Sequence, residues 1–367
     1  MNRPYRSLAV LAAVLGLLPA AASAIDLTDK VHLSGFGHWQ YGRTDGNTFL
    51  GATEDGEYDN GDFALSVSAQ VSDPLRIAGQ LHLAYDGTTE LDFAFAEYSL
   101  SDAAKLRAGL VKHPFGISTE VLHVGTLRLL GDLPQSLYGT TGVVSEAIKG
   151  LAFAGRKDFA SSWALSYDVY AGELNPFNDG LNHELLEPGI EEDEEEELSY
   201  RDALGARAVL ETPVDGLSFG VSAYRGVEEE DGTTAETLGG HVRFARGAWD
   251  VRAEAFGQHA ESGAIEQRGY YLEAARRFGE KWQVAALAES FEVTPESGTG
   301  PSFAGDPRSE HDLLALGLNY WFSPNLVFRT SVREIEGLRF VEIPDDQEPA
   351  ELDESTRLFT FGVDFSF

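Results

Sequence analysis

The sequence predicts an all-β chain: an antiparallel transmembrane β-barrel of about 16 strands, with one long connection folded into its lumen. Three observations carry this. From Val31 to the C-terminus, segments of about ten residues alternate between an apolar and a polar face. The connections between them also alternate, one short and turn-rich, the next long or acidic. The stretch from Lys112 to Tyr138 fits neither kind, being nearly neutral and rich in Leu and Val.

The N-terminus reads as a removable address. Arg3 and Arg6 precede an apolar run from Leu8 to Leu18, too short to span a bilayer as a helix. Ala22-Ser23-Ala24 then forms an A-x-A cleavage site. Residues 1–24 are therefore expected to be a signal peptide, leaving one barrel domain over 25–367. The chain has no cysteine, so disulfides do not stabilise it.

The formal charge of −33 argues against a nucleic-acid partner. Half of the 60 acidic residues fall in five stretches: 44–60, 174–199, 228–236, 294–310 and 338–354. The run from Glu191 to Glu197 lacks the Gly and Asn of a defined calcium loop, and reads as a solvated acidic loop. No metal site and no cofactor are expected.

The strand faces can be taken in order. Val31, Leu33, Trp39 and Tyr41 oppose His32, Phe36, His38 and Gln40. Leu75, Ile77, Leu81 and Leu83 oppose Arg76, Gln80 and His82. In the fourth segment both faces are partly apolar, and the direction of Phe93 and Phe95 stays open. Leu314, Leu316, Leu318, Tyr320 and Phe322 oppose Asn319. The last segment puts Phe359, Phe361, Val363, Phe365 and Phe367 on one face. Trp39, Tyr41, Trp163, Trp249, Trp282, Tyr320 and Trp321 near segment ends suit interfacial girdles. Backbone groups in hydrocarbon must all be paired, so such a sheet must close on itself. A soluble sandwich also alternates, but it needs no strict succession of short and long connections.

Seven short turns lie on one side, among them Ser72-Asp73-Pro74 and Ser323-Pro324-Asn325. Eight longer connections lie on the other. The third, 114–146, is too apolar for a disordered loop in water. It is expected to fold onto the inside wall.

Two stretches carry a family resemblance. LRAGLVKHPFGISTE, followed by LPQSLYG, resembles the constriction-loop entry of Gram-negative outer-membrane porins, roughly G-x-x-K-x-P-F-G and then L-P-x-S-x-Y. Lys112, Pro114, Phe115, Gly116, Leu133, Pro134, Ser136 and Tyr138 match it, whereas His113 and Thr119-Glu120 depart from it. The C-terminal pair, ending in Phe367, is similar to porin closing strands. The resemblance implies a sixteen-stranded barrel in the bacterial outer membrane, third loop inside, as a homotrimer. It implies passage of small hydrophilic solutes, and contact with lipopolysaccharide and outer-membrane lipid.

Charges gather on the polar parity. Arg76, Arg107, Arg156, Arg207, Arg243, Arg252, Arg329 and Arg333 are expected on the lumen wall, with Glu211, Glu254, Glu273 and Glu289. Arginine at the lipid midplane costs about 2–4 kcal/mol. Each could serve equally as an interior salt-bridge partner. Lys112, His113, Glu120, His123, Arg128 and Asp132 are the expected constriction residues. The sign of any ion preference stays open, anionic solutes being one outcome. A plugged structural or adhesive barrel is one alternative. An outer-membrane enzyme is another, but no G-x-S-x-G motif is present, and no catalytic residue is assigned.

Overall fold

In a computed structural model the chain forms a closed antiparallel barrel. The structure describes residues 25–85, 87–101, 103–178, 198–229, 232–260, 265–295, 307–342 and 352–367. The expected signal peptide and the Glu191–Glu197 run lie outside the described residues.

The strands are β1 (Val31–Thr44), β2 (Glu57–Gln70), β3 (Leu75–Ala84), β4 (Thr89–Ser101), β5 (Ala104–Lys112) and β6 (Thr141–Asp158). There follow β7 (Ala164–Asn178), β8 (Tyr200–Glu211), β9 (Leu217–Glu228), β10 (Thr234–Arg246) and β11 (Trp249–Ala260). The last are β12 (Ile265–Phe278), β13 (Trp282–Pro295), β14 (Glu310–Ser323), β15 (Leu326–Glu336) and β16 (Ser355–Ser366). Each pairs with the next, and β16 returns to β1 through Phe361↔Tyr41 and its neighbours. The ring has no free edge, which is what a sheet in hydrocarbon requires. A short strand, Ile25–Thr28, folds back along the start of β1.

The alternation resolves into outside and inside. On β14, Leu314 and Leu316 are 65% and 67% exposed, whereas Leu313 and Ala315 are 2% and 4% exposed. The same holds for Leu238, Val221, Leu272 and Val332, all largely exposed on their strands. A soluble sandwich would bury these side chains; here they form an apolar outer belt. Trp163, Trp249 and Trp282 stand exposed at the starts of β7, β11 and β13, on the short-turn rim.

Trp321 departs from the girdle expectation. It is 7% exposed, donates from Nε1 to Gln283 at 3.2 Å, and lies under Arg277 and Arg329. It lies on the inward parity of β14, shared with Leu313, Ala315 and Asn319. Phe93 and Phe95 are also settled. A register shift in β4 beside Asp92 puts Phe95 beneath Arg107 and Phe93 beneath Lys112.

The third long connection spans residues 113–140. β6 begins at Thr141, so residues 141–146 of the expected loop are strand. Leu122, Leu129, Leu130 and Leu137 of this inner segment pack with Phe115, Tyr170, Tyr224, Phe256, Phe291, Leu313 and Ile335 in one buried cluster. The apolar core thus lies inside the barrel. Above it the first and last long connections meet in a small sheet, Thr48–Phe49 with Val341–Glu342.

Candidate functional site

The inner segment has little regular structure. Two 3-10 turns, Thr119–Val121 and Gly125–Leu127, and one helical turn, Gln135–Tyr138, leave most of its backbone groups to be satisfied elsewhere. Buried backbone polar groups are nearly always paired. Here the barrel wall supplies many of the partners.

Glu254 of β11 is the main anchor. Its carboxylate accepts from Ile117 N at 3.0 Å and from the hydroxyls of Tyr138 and Tyr271. The Tyr138 hydroxyl in turn accepts from Ser118 N at 2.9 Å. Gly116 lies against this group with φ +61°, and a Cβ there would sit 2.5 Å from Glu254 Oε2. Only glycine tolerates both the conformation and the approach. This gives the K-x-P-F-G motif and the later Tyr138 a shared physical purpose.

Other anchors come from around the ring. On β12 and β13, the Tyr270 carbonyl accepts from Ser136 Oγ at 3.4 Å and Glu289 from Ser136 N at 3.0 Å. Asn319 of β14 donates to Leu129 O at 2.8 Å, and Arg252 of β11 to Leu127 O at 3.0 Å. Arg329 of β15 donates to Gly125 O at 2.9 Å while paired with Asp364 of β16 at 2.6 Å. Gln40 of β1 reaches Asp132 at 3.2 Å. On the far side Arg207 of β8 holds Glu120 and, at 3.0 Å, Asp168 of β7. Contacts with so many facing strands place residues 113–140 inside the barrel.

The sequence-selected residues are distributed unevenly. Glu120 is solvent-facing, and Arg128 is half-buried with its guanidinium on the carbonyls of Leu122 and Gly131. Asp132 is paired with Arg333, and the guanidinium more than offsets burial, so its pKa is lowered. Lys112 is 7% exposed, and its Nζ makes no hydrogen bond.

His113 is fully buried. It stacks edge-on with Tyr170 and Tyr224, bonds the Tyr170 hydroxyl at 2.9 Å, and accepts from Ser145 N at 3.3 Å. Burial, with help from Arg207, pushes its pKa down to about 3. It packs in the wall and does not face an aperture. Its unfolded value is near 6.5, so the unfolded chain binds the extra proton below that pH. Barrel stability is therefore expected to fall as pH drops from about 6.5 toward 3. Urea unfolding in lipid vesicles across this range would read it. His113→Asn is expected to flatten the slope; an unchanged slope would assign the acid lability elsewhere.

His123 is partly buried beside Glu146, to which its Nε2 donates. Burial opposes the protonated ring, but the Asp62 and Glu146 carboxylates lift its pKa to about 9.

Most of the wall arginines have a carboxylate. Arg107 meets Glu97 at 2.8 Å, Arg252 meets Asp250 at 2.9 Å, Arg243 meets Asp250 at 3.3 Å, and Arg156 meets Glu211 at the short-turn rim. Arg207, Arg329 and Arg333 are paired as described, and Arg76 acts on Glu97 from a longer range. The wall is therefore charge-compensated rather than a bare basic ring. Sequence parity puts these arginines and the acids Asp250 and Asp364 on the polar faces of their strands, but it does not pair them.

No family model matches the chain, and no curated relative matches it. Solved structures do. OmpF of Salmonella typhi superimposes with a TM-score of 0.62 at 12% identity, over 94% of this chain and 100% of that one. The outer-membrane channel DcaP of Acinetobacter baumannii gives 0.61 at 11% identity, over 95% and 100%. The fold is that of the Gram-negative outer-membrane porins. An anion-selective porin from Comamonas acidovorans gives 0.59 at 12% identity, over 92% and 99%. At such identities the porin fold is shared, while the lining of each lumen is its own.

Proposed function

We propose that this chain is an outer-membrane porin, a passive diffusion channel for small hydrophilic solutes. In this reading residues 1–24 direct export, and the mature barrel sits in the outer membrane among lipopolysaccharide. The observation that supports it best is the inversion of the fold. The apolar face points outward, the polar parity points inward, and a polar-anchored segment crosses the lumen. We take the constriction to be set by the solvent-facing edge of that segment, chiefly Glu120 and Arg128, with Asp132, His123 and Lys112 behind it. The wall arginines Arg107, Arg156, Arg207, Arg243, Arg252, Arg329 and Arg333 act mainly as interior ion-pair partners. Any anion preference is accordingly weak. A homotrimer is part of the proposal; OmpT of Vibrio cholerae, which shares the fold, has been solved in a trimer form.

One observation favours a second reading, a plugged barrel. The inner segment touches many facing strands, and an apolar cluster fills part of the lumen. Proteoliposome swelling separates the two. With the purified protein, a small sugar is expected to enter quickly and a large one slowly. No swelling with any sugar would favour the plug.

A further inference from the structure

His82 of β3 and His123 of the inner segment stack with ring centroids 4.1 Å apart. Asp62 of β2 lies beside both. Its Oδ2 is 3.6 Å from His82 Nε2 and 3.8 Å from His123 Nδ1. These separations are too long for hydrogen bonds. Consistent with that, His82 Nε2 and Asp62 Oδ1 are buried with no hydrogen-bond partner. Such orphaned atoms are rare in native interiors and call for an explanation.

The other ring nitrogen of His123 is already engaged, since Nε2 donates to Glu146. A metal ion would displace the Nδ1 proton of His123; in the resulting neutral ring that bond fixes the tautomer and leaves the Nδ1 lone pair toward Asp62 and His82. A carboxylate holding the far side of a histidine is the usual support of a metal-bound imidazole. Asp92, whose side chain is fully buried, lies 3.9 Å from the same Nε2, and its Oδ1 is likewise unpartnered. The group therefore holds three carboxylates, with the Lys112 ammonium near Asp92 and Glu146.

We propose that Asp62, His82 and His123 bind a divalent transition-metal ion, with Glu146 orienting His123. Two imidazoles and a carboxylate, with one position left for water, suit zinc. Nitrogen donors make calcium and magnesium poor matches. Donors about 2.0–2.1 Å from a tetrahedral ion sit roughly 3.3–3.4 Å from one another. The Asp62–histidine separations of 3.6 and 3.8 Å need a contraction of a few tenths of an ångström, and the two stacked rings must turn to aim their nitrogens at one ion. The neighbouring carboxylates offset the added charge. The ion would clip the inner segment at His123 to the wall strands β2 and β3, with β6 bracing it through Glu146. This binding does not depend on the channel reading.

The test is zinc titration of the full mature barrel in detergent, followed calorimetrically with excess calcium present to occupy the acidic loops. One saturable zinc site per chain is expected. It should vanish in His82→Ala and in His123→Gln, and weaken about 10–100-fold in Glu146→Gln. X-ray absorption of zinc on the wild-type protein needs no variant to fold, and is expected to show two imidazole nitrogens. No stoichiometric binding, binding undiminished in both histidine variants, or an all-oxygen shell would overturn the proposal.

Discussion

Replacing residues 118–132 with a short Gly-Ser linker is expected to raise single-channel conductance several-fold and to weaken ion preference. This deletion removes both 3-10 turns together with Glu120, His123, Arg128 and Asp132. It leaves Lys112 to Ile117 and Leu133 to Tyr138 in place, so the Glu254 and Glu289 anchors of those flanks persist. The pairings of the sixteen strands do not involve the deleted residues, so the ring should still close. Arg333 loses its acceptor Asp132, and Arg329 loses carbonyls but keeps Asp364. Conductance through a water-filled opening follows its narrowest section. An unchanged conductance would mean that this segment does not set that section.

Glu254→Ala is expected to free the inner segment while leaving the barrel folded. One carboxylate holds Ile117 N, Tyr138 and Tyr271, and it is only 4% exposed. A hydrogen bond to a charged group contributes about 1.5–3 kcal/mol, and three on one acceptor are coupled rather than additive. Their joint loss also leaves two tyrosine hydroxyls buried without their acceptor. Amide exchange over residues 115–139 should speed up by orders of magnitude, while β12–β16 stay protected. Single-channel records should become noisy with frequent larger openings. Tyr138→Phe is expected to produce a smaller effect in the same direction, through Ser118 N and Ile117 N. Unchanged exchange in the segment would show that Glu254 is not its anchor.

The barrel was legible because its rule is local. Period-two alternation and the sequence of short and long connections each repeat every few residues, and together they implied closure before any contact was known. The inner position of the third connection was legible from composition, since an apolar connection needs a surface. Its means of attachment was not. Glu254 and Asp364 look like any lumen-parity carboxylate, and the strands that bear them lie far along the chain from the segment they hold. His113 follows Lys112 in sequence, so it reads as an aperture residue; it is instead packed against Tyr170 and Tyr224, which no local pattern indicates. Trp321 reads as an interfacial residue from its place near a strand end, although it shares the inward parity of Asn319 and is buried. The Asp62, His82 and His123 group joins two wall strands to the inner segment, and single-strand parity shows none of that convergence.

Steady current through single copies of the purified wild-type protein in planar lipid bilayers tests the central claim most directly. Reproducible, ohmic steps smaller than those of the barrel lacking residues 118–132 are expected. Silence under all voltages while the shortened barrel conducts, or steps of equal size in both, would contradict it.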